Sequence, residues 1–251
     1  MPFIDILDSS RPIVIAHRGA SGEAPENTMA AFAMAVEQGA HVVELDVHMS
    51  ADGYPVVIHD QTLDRTTSGH GMVRETTLAE LRKLDAGAWF DRRFAGERVL
   101  TLEEVVAWAK DRVALAIEIK NHPIAYRGIE ASVVELLERH GAAKEHEVFS
   151  FDHPCMKRIK TRQPIILTGV CYVADPVDHV AMATAPGAAA LHPMFHYLRP
   201  ETVRDAHAAG LLIFPWTANN PQDVHHLYAL GVDGIVTDFP ARVSETLNGK
   251  S

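Results

Sequence analysis

The sequence predicts an α/β fold: a TIM (β/α)8 barrel carrying a small insertion after its second strand. Three observations point there. Eight short apolar runs alternate with helical patterns from one end of the chain to the other. Runs such as Val113-Ala-Leu-Ala-Ile117 are apolar on both faces, as parallel strands covered by helices must be. The length, 251 residues, suits one such barrel, which takes about 250. An open doubly wound sheet is the alternative that the same alternation permits.

The strands are expected at 13–16, 41–46, 113–118, 147–150, 165–170, 188–192, 211–216 and 234–237. The helices fit 28–37, 101–110, 124–139, 154–161, 177–184, 201–209, 222–230 and 241–247. The first shows the logic. Asn27 or Thr28 can cap it, Phe32, Met34, Ala35 and Val36 supply apolar positions, and Gly39 permits the left-handed turn out. Residues 47–100 break the alternation. They hold a turn at 51–55, an extra strand at 56–58, a polar loop at 61–71 and a short helix at 78–84. An insertion on a βα connection sits at the C-terminal face of a barrel, where such enzymes carry their chemistry. No Pro- or Ser-rich linker divides the chain, so residues 1–251 are expected to form one domain.

Composition narrows the function. With 23 basic against 33 acidic residues the net charge is −10, which disfavours nucleic acid and anionic membranes as partners. A small phosphorylated substrate would have to be drawn in by local cations or a metal. The N-terminus lacks a basic segment followed by an apolar run, and no apolar stretch is long enough to span a bilayer, so a cytoplasmic location is expected. Cys155 and Cys171 show no metal-like spacing and are expected to be reduced packing residues. Of the 15 histidines, His140, His146, His207, His225 and His226 lie in polar or helical settings and are expected at the surface.

Polar residues crowd the C-terminal ends of strands that are otherwise apolar. His17-Arg18 ends the first; Glu44 and Asp46 end the second, at i and i+2 and hence on one face. Glu118 and Lys120 end the third, Trp216 and Asn219 the seventh, and Asp238 the eighth, while His59 closes the strand inside the insertion. Glu44, Asp46 and Glu118 would meet across adjacent strands. Their mutual repulsion calls for compensation, by one divalent cation or by ion pairing with Lys120 and Arg18. Oxygen-only ligands suit Mg2+ or Ca2+ better than Zn2+. His17 and His59 are candidates for general base and general acid, and Arg18 offers a fork matched to phosphate oxygens. His48 falls on the Glu44/Asp46 face but is expected just past the strand, facing solvent. His192 and His196 are candidates for substrate contact, and Trp216 for a pocket wall.

Several of these segments resemble one family. His17-Arg18-Gly19, Pro25-Glu26-Asn27-Thr28, Glu44-Leu-Asp-Val47, Asp52-Gly53, Val56-Val-Ile-His-Asp60 and Leu63-Asp-Arg-Thr-Thr67 are similar to the opening of the glycerophosphodiester phosphodiesterases. Ile117-Glu-Ile-Lys120, Ser150-Phe151-Asp152, Trp216-Thr-Ala-Asn219 and Gly231-Val-Asp-Gly-Ile-Val-Thr-Asp238 continue the pattern in order. Ala218 stands where that family often has Val. The resemblance implies metal ligation by Glu44, Asp46 and Glu118 and acid–base work by His17 and His59. It is most like the cytoplasmic bacterial members. The implied reaction hydrolyses a glycerophosphodiester to sn-glycerol 3-phosphate and an alcohol. A lysophospholipase D activity and a non-catalytic phosphodiester-binding role are the rivals.

Overall fold

The computed structural model describes residues 2–7 and 11–249. Eight strands run parallel as neighbours: β1 (Ile13–Ala16), β2 (Val42–Met49), β5 (Ala114–Ile119), β6 (Glu147–Ser150), β7 (Leu167–Tyr172), β8 (Ala190–Pro193), β9 (Leu212–Ile213) and β10 (Gly234–Thr237), the last pairing back with β1. The seam between β9 and β10 is closed by backbone hydrogen bonds. Asp233 N donates to Ile213 O (3.1 Å), Val236 N to Pro215 O (3.0 Å) and Ala218 N to Val236 O (2.9 Å). These bonds exclude the open sheet.

Helices follow the strands: α1 (Met29–Glu37), α2 (Leu78–Leu81), α3 (Leu102–Ala109), α4 (Ile129–Arg139), α5 (His153–Arg162), α6 (His179–Thr184), α7 (Pro200–Ala208), α8 (Pro221–Leu230) and α9 (Pro240–Leu247). The strand pleat separates two apolar layers, as a period of 2 requires. Ile13, Ile15, Ala116, Phe149, Cys171 and Phe214 point into the barrel. Val14, Leu45, Leu115, Ile117, Val148 and Leu191 point out beneath the helices. Phe3 packs edge-on against Phe214, with ring centroids 6.1 Å apart, and belongs to the interior layer. Both cysteines are free and buried. Among the described residues, no helix is long and apolar enough to cross a membrane.

Several elements differ from the sequence expectation. β2 runs on to Met49 because its end pairs antiparallel with β3 (Pro55–Val57), Val47 opposite Val57. A further strand, β4 (Leu100–Thr101), pairs with β3. Two residues leave no periodicity to detect. β9 is only two residues long: Phe214 N and Trp216 N still donate to β8, but Pro193 of β8 has no N–H to return the next ladder bond. α4 starts at Ile129 instead of 124, behind Gly128, whose φ of 87° lies outside helical space. Between β2 and α3, Val56, Ile58, Leu63, Val73, Leu81 and Val99 form an apolar cluster of their own. That packing gives His59 a rigid support.

Candidate active site

The parallel register of β2 on β5 sets Asp46 opposite Glu118 and Glu44 opposite Ala116. Strand alternation turns all three carboxylates inward, and each offers an oxygen within 4.8 Å of the others'. They are buried, at 2 %, 0 % and 7 % exposure, so their charges meet with little water to screen them. Two cations answer them. Lys120 Nζ lies 3.0 Å from Asp46 Oδ1 and 2.7 Å from Glu118 Oε1, in ion-pair contact outside hydrogen-bond geometry. Arg18 donates its backbone N–H to Glu44 Oε2 (2.8 Å), sets Nε 3.2 Å from Asp46 Oδ2, and donates Nη1 to Glu26 (3.0 Å). Ion pairing with Lys120 and Arg18 is therefore present.

The pairing is incomplete. Three carboxylates against two cations leave one surplus negative charge when all are ionised. Burial, with Asp46 and Glu118 beside it, pushes the Glu44 carboxyl well above the usual range. Burial would raise Asp46 too, but Lys120 and Arg18 outweigh it and hold that carboxyl far down. Lys120 is raised in turn: burial opposes its charge, and Asp46 and Glu118 more than restore it. The buried acidic triad can bind a metal. Its donors are hard oxygens, and its surplus charge is what a dication would reverse to one positive charge.

Each candidate histidine has a carboxylate behind it. His17 Nδ1 lies 2.6 Å from Asp238 Oδ1, and Asp238 also accepts from Asn219 Nδ2 (2.6 Å) and Ser21 Oγ (3.1 Å). Burial would raise the Asp238 carboxyl, yet the His17 hydrogen bond and charge leave it below its ordinary value. His59 Nδ1 lies 2.7 Å from Asp60 Oδ1. Arg65 grips Asp60 through Nε (2.8 Å) and Nη2 (2.9 Å) and reaches Glu26, which links this network to Arg18. Burial lowers the His59 imidazole from its ordinary value. A carboxylate accepting at Nδ1 places the proton there and leaves Nε2 with its lone pair.

His17, Arg18, Glu44, His59, Glu118, Lys120 and Trp216 all line one cavity of about 190 Å³ at the C-terminal mouth. Asp46 lies behind it, against Lys120 and Arg18. Trp216 donates Nε1 to the His192 carbonyl (2.8 Å) and meets Phe151 edge-on at 5.9 Å. A second cavity, about 420 Å³, adjoins it on the insertion side and shares His59, Glu118, Lys120 and Phe151.

Two expectations need correction. His48 is buried, at 3 % exposure, because β2 continues past it. Its Nε2 donates to the His59 carbonyl and its Nδ1 accepts from the Tyr126 hydroxyl, both at 2.9 Å, and burial lowers it to about 4. A neutral His48 thus anchors the His59 backbone. His146 is also buried, at 2 % exposure, with Nδ1 accepting from Leu115 N–H (3.2 Å). His192 points into the barrel, paired with Glu147 at 2.8 Å and stacked on Phe149 at 4.1 Å, and contributes to the cavity wall. His196 lies against Phe195 and lines neither cavity.

From the sequence, Asp60, Glu26 and Arg65 stood out only inside motifs, Asn27 also as a candidate helix cap, and Asp238 as a strand end and the close of a motif. Asn27 holds φ at 59°, donates Nδ2 to Asp46 Oδ2 (2.7 Å) and accepts from Asp46 N–H (3.3 Å). Thr28 caps α1, accepting from Ala31 N–H. An Asn one residue before an adequate cap was the available signal.

Residues 17–242 match the family model described as "Glycerophosphoryl diester phosphodiesterase family". The glycerophosphodiester phosphodiesterase of Caldanaerobacter subterraneus is 42 % identical, over 92 % of this chain and 95 % of its own. That of Bacillus subtilis is 34 % identical, over 94 % and 86 %. Among solved structures, an Oleispira antarctica phosphodiesterase in complex with the product sn-glycerol-3-phosphate superposes with a TM-score of 0.88 at 34 % identity. That match covers 95 % of this chain and 97 % of that one.

Proposed function

The chain belongs to the glycerophosphoryl diester phosphodiesterase family, and from that premise we propose how its residues hydrolyse a glycerophosphodiester to sn-glycerol 3-phosphate and an alcohol. It is a phosphoric diester hydrolase. The one observation that carries the mechanism is the pair of histidine–carboxylate couples, His17–Asp238 and His59–Asp60, whose imidazoles line the same cavity as the acidic residues.

Glu44, Asp46 and Glu118 would hold one divalent cation, Mg2+ or Ca2+, which would supply positive charge against the phosphoryl oxygens. His17 Nε2 takes the proton of the glycerol 2-hydroxyl. The resulting alkoxide attacks phosphorus, and the bond to the departing alcohol breaks as His59, entering the step as the doubly protonated imidazolium with its Nδ1–H held by Asp60, gives its Nε2 proton to that oxygen. Water then opens the cyclic glycerol phosphate with the two roles exchanged, giving glycerol 3-phosphate. Arg18 and Lys120 offset charge on the phosphoryl oxygens, and Trp216 forms the wall beside the glycerol. His59 lines both cavities whereas His17 lines the smaller one, which supports His59 as the acid on the leaving-group side. The product bound by the Oleispira antarctica relative supports glycerol 3-phosphate as the product here. The reading extends to one catalytic domain over residues 1–251, with 47–100 supplying His59 as an insertion, acting in the cytoplasm.

Glycerol 3-phosphate release is the assay. His17→Ala and His59→Ala should each lower kcat by about 10²–10⁴ with an unchanged melting temperature. Exhaustive chelation should abolish release and Mg2+ or Ca2+ should restore it. A variant that keeps parental turnover loses its assigned role, and turnover that survives chelation removes the cation. Release from lysophospholipids exceeding that from glycerophosphodiesters would select the lysophospholipase D reading.

A further inference from the structure

The larger cavity shares His59, Glu118 and Lys120 with the catalytic one, but the rest of its lining is unused by the chemistry, and it opens from the seam at His59 where the leaving alcohol must emerge. Resting on the function above, we propose that it is the head-group subsite and that its chemistry selects an uncharged polyol over a quaternary ammonium alcohol. Its charged members are already committed. Asp60 has both oxygens engaged, Oδ1 by His59 (2.7 Å) and Arg65 (2.9 Å), Oδ2 by Arg65 (2.8 Å). Glu118 is paired with Lys120 at 2.7 Å. Three further lining groups are also tied, the first being Ser150, which donates Oγ to the Ile119 carbonyl (2.6 Å) and accepts from Asp152 N–H (3.0 Å). Asn121 donates Nδ2 to Asp152 and accepts from Tyr126 N–H (2.7 Å), and His48 is closed off by Tyr126 and the His59 carbonyl.

Three polar side chains remain. Among the described residues the Gln61 amide and the Thr62 hydroxyl have no protein partner, and His122 lies 3.9 Å from Asp152 with its side chain 61 % exposed. An amide, a hydroxyl and an imidazole supply donors and acceptors in pairs, which a polyol matches on both counts. A trimethylammonium group can use neither. It needs an aromatic cage or a free carboxylate, and this cavity presents one aromatic ring, Phe151, whose neighbour Trp216 meets it edge-on. A head group that displaces water from these three groups without pairing with them also carries a penalty that a polyol avoids.

The test compares kcat/KM for glycerophosphoglycerol, glycerophosphoinositol and glycerophosphocholine with one divalent cation, by glycerol 3-phosphate release. Both polyol esters should exceed the choline ester by about tenfold or more. Gln61→Ala and His122→Ala should each shrink that ratio by about three- to tenfold, each checked for folding by its melting temperature. Equal or better turnover of the choline ester overturns the subsite while leaving the catalytic reading standing. So does a ratio that neither variant moves. Failure to hydrolyse any of the three esters overturns the catalytic reading and this inference with it.

Discussion

Replacing Asp238 by Asn changes the proton on His17 without changing the shape of the site. Asn219 dictates the outcome. Its Oδ1 accepts from Asp238 N–H (2.9 Å) and from Thr237 Oγ1 (3.1 Å), so its Nδ2 must face position 238, as it does at 2.6 Å. An amide at 238 therefore turns its oxygen to Asn219 and its NH2 to His17 Nδ1. The imidazole must then accept at Nδ1 and carry its proton on Nε2, the atom that should take the substrate proton. Loss of a charge-assisted hydrogen bond alone is worth about 1.5–3 kcal/mol, or roughly 10–150-fold. Inverting the tautomer removes the base and extends the loss to about 10²–10⁴ in kcat. Steady-state kcat for glycerol 3-phosphate release, with nitrogen NMR of the His17 tautomer, measures both effects. Turnover within twofold of the parent, in a variant whose melting temperature is unchanged, would refute the role of Asp238 as the residue that positions His17. An inverted tautomer with unimpaired turnover would refute His17 as the base.

Asn27→Ala should destabilise the fold by about 3 kcal/mol, combining a left-handed backbone that Ala resists with the lost hydrogen bond to buried Asp46; urea unfolding measures it, and a change below about 0.5 kcal/mol would contradict it. His146 is pushed down from 6.5 to about 4 by burial. Between those values the unfolded chain binds the proton and the folded one does not, so the His146 contribution is complete above pH 6.5 and falls by about 3 kcal/mol as pH drops to 4. His146→Asn should flatten unfolding free energy over that window, and an unaltered slope would show that another group carries it. At Gly169 an added Cβ would stand 2.6 Å from Glu147 Oε1 and 2.7 Å from the His192 ring. Gly169→Ala should thus lower stability by about 1–3 kcal/mol in thermal melts, and no loss would mean that the buried pair can shift.

Glu44, Asp46, Glu118 and Lys120 were legible in the sequence because two rules of backbone geometry are local. Alternation puts i and i+2 on one face, and polar residues at the end of an apolar strand sit at its mouth. His17 and His59 carried the same kind of signal. Their partners did not, to different degrees. Asp60 is adjacent to His59, and its role was hidden by Arg65, which holds it from the polar loop. Asp238 is 221 positions from His17, and no local rule joins them. His48 and His146 were expected in solvent because periodicity ran out near them. The antiparallel β3 and the Leu115 N–H at a strand end keep them inside.

The sequence by itself determined the alternation of strands and helices, the inward carboxylates and the insertion, since these follow from residue spacing along one segment. Only the tertiary structure decided which nitrogen each histidine presents, which cation answers which carboxylate, and that two cavities meet at His59. Those depend on side chains brought together when β10 pairs with β1 and the barrel shuts. Barrel closure is a property of all eight strands at once, and it is what turns a row of polar strand ends into a site.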